Sequence, residues 1–175
     1  MQSEHFEKFT KNAKLALTAA QKAARAMGEA YIGTEHILVG LVSNPLAAEI
    51  LEGHAVTLEK VQLALSFSAK SRYDGAGSGL TDPAKKVIEK GVAMAARHQH
   101  YYVGTEHLLL GILSDKNTKA YSILEELGAD PERIKSQVMN LFRHTGGEQA
   151  GAPASAAAPQ QPVTPGGGAV KKSKK

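Results

Sequence analysis

The chain has 175 residues, no cysteine and a formal net charge of +4; one compact core suffices at this length, and the composition excludes disulfide frameworks, thiolate chemistry and thiolate metal sites. The charge is concentrated at one end, since residues 1–145 hold 17 Lys+Arg against 16 Asp+Glu while residues 146–175 hold 4 against 1, so the body has little to attract nucleic acid. The opening stretch MQSEHFEKFTKNAK lacks the apolar core of a signal peptide, and no run approaches the ~18 apolar residues of a membrane span, which points to a soluble, cytoplasmic protein.

In chain order, the first predicted helix runs from Thr10 to about Met27, with apolar or small residues at 9, 13, 16, 17, 20, 24 and 27, a helical period. A second follows in YIGTEHILVGL at 31–41, where Thr34 has the chemistry of an N-cap. The third lies near 45–52 and ends at Gly53, and the fourth starts at Thr57. The pattern then repeats. Pairing residue n with n+71 across 9–41 and 80–112 gives 11 identities in 33 pairs, among them Thr10 with Thr81, Lys14 with Lys85 and the whole Gly-Thr-Glu-His block. Thr105 is then the N-cap expected for the sixth helix. Beyond it the offset becomes 73, laying NPLAAEILE at 44–52 over NTKAYSILE at 117–125; the seventh helix ends at Gly128 and the eighth begins at Asp130 with Pro131 as its first residue.

These elements predict an all-α fold of two tandem four-helix repeats, about eight helices over 6–143. Repeat 1 covers about 6–70, a Gly-rich flexible linker 71–79, and repeat 2 about 80–143. From 146 to 175, 17 of 30 residues are Gly, Ala or Pro, none is aromatic and the end is KKSKK, a composition expected to form a disordered tail.

No segment fits a nucleotide site, because GGGAVKKS lacks the Gly before Lys that a phosphate-binding loop requires. His98 and His100 in RHQHYY could offer two imidazoles, yet no cysteine or acidic ligand cluster accompanies them, so a polar helix end is expected rather than a metal site. His36 and His107 each follow a Glu, but no repeated Ser, Thr or Asp completes a catalytic set; they are expected to hydrogen-bond within the helix packing and fix the turn. Neither an enzyme nor a cofactor is indicated.

Glu35 and Glu106 form the more informative pair. Thr10 precedes Glu35 by 25 residues, as Thr81 precedes Glu106. Each repeat therefore offers one helix start with a hydroxyl and free amides, and another with a carboxylate. If the starts converge, the amides suit an oxyanion and the carboxylate suits a guanidinium, two groups that an arginine phosphorylated on its guanidinium carries side by side.

The doubled GTEH[IL]L[VL]G[LI], the Thr 25 residues ahead of each Glu and the four-helix repeats closely resemble the N-terminal repeat domain of the Clp ATPases, most of all the ClpC branch. The resemblance implies a pseudo-twofold helical module that receives substrates and adaptor proteins for an unfoldase feeding the ClpP protease. It also implies phosphoarginine binding by Thr10 and Glu35 in one site and by Thr81 and Glu106 in the other. The chain departs from the family in ending in a tail where ATPase modules normally follow, which implies an accessory that binds arginine-phosphorylated or unfolded clients, or docks on a Clp ATPase. It also departs locally, because HAVTLE at 54–59 lacks the Leu-Gly of LGADPE at 127–132, so an altered surface is expected there. Two other readings stay open: apolar grooves binding unmodified peptides or a Clp ATPase, and a polyanion-binding protein acting through KKSKK. Sequence-specific nucleic-acid binding and membrane association are not expected.

Overall fold

The computed structural model describes residues 6–68 and 79–145; the expected linker, apart from Gly79, and the expected tail lie outside them. Eight α-helices account for the regular structure there: α1 Lys11–Ala26, α2 Thr34–Val42, α3 Pro45–Glu52, α4 Leu58–Phe67, α5 Asp82–Arg97, α6 Thr105–Leu113, α7 Lys119–Glu126 and α8 Pro131–Thr145. The all-α, two-repeat reading holds, with each helix within a few residues of its sequence-derived place. Among the described residues no helix is long and apolar enough to cross a membrane.

The helix starts follow local chemistry. Thr10, Thr57, Thr81 and Thr118 each accept a hydrogen bond from the amide three residues on, and Asn44 does so two residues on, so the first orphan amides of five helices are satisfied by side chains. Two turns use the left-handed backbone at matched places. Gly28 (φ 71°) corresponds to Gln99 (φ 59°), and Gly128 (φ 81°) to Ala55 (φ 63°). The altered segment at 54–59 therefore keeps its partner's backbone turn, with Ala55 carrying the strain that glycine avoids, and Gly53 is an ordinary helix end at φ −59°.

Helices α2 and α6 are buried on all nine residues each and form the centre around which the others pack. Helix α1 lies antiparallel on α2, and α5 on α6. The approach is close because Gly40 faces the backbone of Ala16 and Ala20, and Gly111 the backbone of Val87; a Cβ at either glycine would overlap the carbonyl oxygen of Ala16 or Val87. The stripe opposite is correspondingly small, with Ala13, Ala16, Ala20 and Ala24 buried on α1.

The repeats are interlocked rather than side by side. Helix α7 packs on α2 and α3 packs on α6, so each central helix is covered by an element of the other repeat, and one apolar cluster runs through both. Two isolated parallel bridges, Phe9 with Val103 and Ile32 with Leu80, fasten them further.

A methyl group at Gly111 has no room without parting α5 from α6. Gly111→Ala should lower unfolding stability by about 2–3 kcal/mol despite alanine's better helix propensity, measured as a lower urea midpoint at unchanged slope.

Candidate functional site

The turn into α2 is made at Gly33, which is extended (φ −92°, ψ 177°) and is the N-cap; Gly104 does the same for α6 (φ −95°, ψ 178°). Thr34 and Thr105 are thus the first helical residues and not the caps their side chains suggested. The capping bond comes from the other direction. His36 Nδ1 accepts the Gly33 N–H at 2.9 Å and His107 Nδ1 accepts the Gly104 N–H at 2.8 Å, so an imidazole at the third helical position does what a glutamate usually does there. This leaves the Thr34 hydroxyl to accept the Ala120 N–H at 3.1 Å. A residue of repeat 1 thereby serves the start of α7 in repeat 2.

These bonds fix the histidine chemistry. With Nδ1 accepting, each neutral ring carries its proton on Nε2. His107 then donates from Nε2 to His100 Nδ1 at 2.7 Å, and Phe142 packs on both rings with centroids 4.9 Å away. Burial, helped by His100 and His98, pushes the His107 pKa down to about 3. His100 is lowered by burial and by His98. The 3.9 Å approach of Glu106 Oε1 to His107 Nδ1 is therefore not an ion pair, because that nitrogen bears no proton. His98 and His100 belong to this packed aromatic cluster, in keeping with a structural helix end.

In repeat 1 the residue matched to His100 is Glu29, whose Oε1 lies 3.9 Å from His36 Nε2. Burial lowers the His36 pKa against the raising effects of Glu35 and Glu29, and Lys119 lowers it further. Glu29, Glu35 and His36 offer ligand atoms within 4.8 Å of one another, the spacing of a cation site. The hydrogen bonding rules that use out. His36 Nδ1 is committed to Gly33, so Nε2 keeps its proton and has no lone pair for a metal, and the Lys119 ammonium already sits 3.4 Å from Glu35 Oε1.

The carboxylates expected to bind a ligand face inward. Glu35 is 2 % exposed and Glu106 is fully buried, and the Glu35 carboxylate folds back over Gly33, filling the place a Cβ would take. Thr10 is half-buried and Thr81 buried; their hydroxyls accept the amides of Ala13 and Ala84 at 3.0 and 3.2 Å.

The pairing of these residues differs from the expected one. Antiparallel packing of α1 on α2 puts Thr10 and Glu35 at opposite ends of the pair, roughly 20 Å apart at 1.5 Å per residue, and Thr81 and Glu106 are separated in the same way. The helix starts converge across the repeats instead. Thr10 donates its N–H to Val103 O at 3.0 Å, just ahead of Glu106, and Thr81 donates to Ile32 O at 3.0 Å, just ahead of Glu35. Sequence spacing records only distance along the chain, so the equal intervals of 25 could not show which Thr meets which Glu.

Two interlocked helical repeats, each presenting a capped start to the other's buried Glu-His turn, define a tandem-repeat helical domain. The chain belongs to the Clp repeat (R) N-terminal domain family, whose model matches residues 8–72 and 79–165. It is 35% identical over 149 residues to the chloroplastic chaperone protein ClpC2 of Oryza sativa subsp. japonica, covering 80% of this chain and 16% of that protein. To the chloroplastic chaperone protein ClpC1 of Arabidopsis thaliana it is 36% identical over 145 residues, covering 78% and 15%. The chain thus spans about a sixth of the length of these relatives. Solved structures share the fold: the N-terminal domain of the chaperone ClpD from Arabidopsis thaliana matches with TM-score 0.67 at 23% identity, over 79% of this chain and 96% of that one. The ClpV N-domain, in complex with a VipB peptide, matches with TM-score 0.60 at 18% identity, over 77% and 87%.

The histidine geometry sets an acid limit on stability. Unfolded, His107 takes a proton below its ordinary pKa of 6.5; folded, it does so only near 3. The unfolded state therefore binds more protons between those values, and stability falls with pH, by about 2 kcal/mol from this group between pH 7.5 and 5. His107→Gln keeps a side-chain acceptor for Gly104 but does not titrate, so urea unfolding across that range should show a correspondingly shallower loss.

Proposed function

We propose that this chain is a non-enzymatic binding module of Clp-dependent protein quality control, which takes up arginine-phosphorylated proteins at the paired helix starts. The observation that carries the reading is the twofold convergence of a Thr-capped start, Thr10 or Thr81, with the Glu-bearing start of the other repeat. Helix N-termini favour the phosphoryl group, with Lys14 and Lys85 one turn further on, and the carboxylate favours the guanidinium. Since Glu35 and Glu106 lie beneath the surface, a guanidinium reaches them by displacing the chain that covers them. The buried, amide-bonded histidines are poorly placed for acid-base catalysis, which supports a binding role. The partners proposed on this basis are a Clp ATPase with its protease, adaptor proteins and marked or unfolded clients, in a cytoplasmic setting.

A second observation favours an additional apolar contact with unfolded clients. A groove of about 180 Å³ opens between α1 and α4, lined by Ala23, Ala26, Met27, Val39, Leu65 and Ser66. In repeat 2 the residues matched to Ala23 and Ser66 are the larger Met94 and Met139, which pack on the core. Beside the groove, Leu63 is 58 % and Phe67 84 % exposed, an apolar patch suited to a peptide side chain.

Titration calorimetry separates the two readings. Free phosphoarginine should bind the wild-type chain and lose at least tenfold in affinity to a Glu35→Gln/Glu106→Gln variant, whereas Ala23→Met/Ser66→Met should leave that affinity alone and weaken binding of an unmodified, unfolded client. Unchanged phosphoarginine binding in the double Gln variant would remove the first reading.

A further inference from the structure

The outer face of α1 carries a row of positive charge. Lys11, Lys14, Lys22 and Arg25 are all exposed, and at about 100° per residue they fall within an arc of about 80°. Lys11 and Lys22, like Lys14 and Arg25, stand eleven residues apart, close to three full turns, so the row is two cation pairs in line, about 16 Å from each other. Leu15, 52 % exposed, lies between the pairs. Helix α1 contains no acidic residue, and none of the four cations makes an ion pair among the described residues. The arrangement weakens the helix that bears it, because Lys11 sits at the positive end of the dipole and each pair sets like charges three residues apart. Repeat 2 shows that the fold does not require it. The residues matched to Lys11, Leu15, Thr18, Lys22 and Arg25 are Asp82, Lys86, Glu89, Ala93 and Ala96, and Lys85, the match of Lys14, pairs with Asp82 at 3.8 Å. Helix α5 packs on α6 as α1 does on α2, with a face of mixed sign.

We propose that this row is a docking surface for an acidic amphipathic helix of another protein, which lies along α1 with carboxylates over the two cation pairs and an apolar side chain on Leu15. A partner helix can repeat the same intervals of three and eleven residues, so its charges meet those of α1 in register over the whole row. The charge distribution favours a short segment over a broad polyanion. Apart from these four residues, residues 1–145 hold 13 Lys+Arg against 16 Asp+Glu, so a nucleic acid or an anionic membrane, which presents charge across a wide face, meets a surface of net negative sign beside the row. An acidic helix touches the row alone. The surface goes beyond the phosphoarginine pockets and does not depend on them, since Lys22 and Arg25 lie at the end of α1 away from Thr10.

Fluorescence anisotropy with the full chain tests this, with thermal unfolding by circular dichroism as the control for folding. The probe is a labelled alanine-based helical peptide with four Glu at the intervals of Lys11, Lys14, Lys22 and Arg25 and a Leu between the pairs; a second probe carries Gln in place of each Glu. The Glu peptide should bind the wild type and weaken as salt rises, and the Gln peptide should bind at least about tenfold more weakly. Lys22→Glu/Arg25→Glu should lose at least about tenfold in affinity for the Glu peptide, while Lys86→Glu/Arg97→Glu, the same charge change on α5, should stay within about twofold of the wild type. Should the first variant fail to fold, Lys22→Gln/Arg25→Gln removes the charges alone and should still lose about threefold or more. No binding of the Glu peptide, equal binding of the two peptides, or equal losses from the α1 and α5 variants would overturn the inference. So would tighter binding of duplex DNA or of phosphatidylglycerol vesicles than of the Glu peptide, or salt-sensitive dimerisation of the wild type lost in Lys22→Glu/Arg25→Glu, each of which would give the row to a different occupant.

Discussion

The bond from a backbone amide to a histidine ring, made at Gly33 with His36 and at Gly104 with His107, is the constraint on which the fold rests. Helices α2 and α6 are buried along their whole length, so their starts lie where water cannot satisfy orphan amides. A buried amide left without an acceptor costs about 1–3 kcal/mol, and each central helix begins with several. The imidazole satisfies the one at the N-cap while remaining uncharged and apolar enough to be enclosed. The same bond fixes the ring tautomer, directs Nε2–H to His100 in repeat 2 and towards Glu29 in repeat 1, and releases Thr34 to cap a helix of the other repeat.

Once the central starts are closed in this way, the rest of the architecture follows from packing. Gly40 and Gly111 let the alanine-rich faces of α1 and α5 approach until backbone meets backbone, which puts the start of each outer helix far from the Glu of its own repeat. The starts of α1 and α5 meet instead the extended segments before α6 and α2. The candidate pockets are consequently properties of the assembled domain. Each needs both repeats, and a single repeat could neither cover its central helix nor complete a site.

Much of this was legible in the sequence. The doubled GTEH block, the small-residue stripes and the Thr caps at 10, 57 and 81 give the helices and the repeat, because period and capping are local properties. What was not legible was tertiary. Thr34 and His36 both have the chemistry to satisfy an orphan amide, and only the turn at Gly33 decides that the histidine does so. Ala55 follows its partner Gly128 into the left-handed region because packing outweighs its own preference. The meeting of Thr10 with the Glu106 turn leaves no trace in the spacing, since the repeated interval of 25 is set by the duplication and holds whichever Thr meets which Glu. The signal that could have been found was Lys119: a lysine opening a helix, where its repeat partner is Leu46, is a local misfit that calls for a carboxylate nearby.

The central claim is that a binding site is built across the repeats. Its most direct test is an amide-resolved NMR titration of the labelled protein with free phosphoarginine. The account predicts that the amides of residues 10–13 and 103–107 shift together and saturate with a single dissociation constant. Shifts that join residues 10–13 to residues 33–36, with 103–107 unmoved, would contradict it.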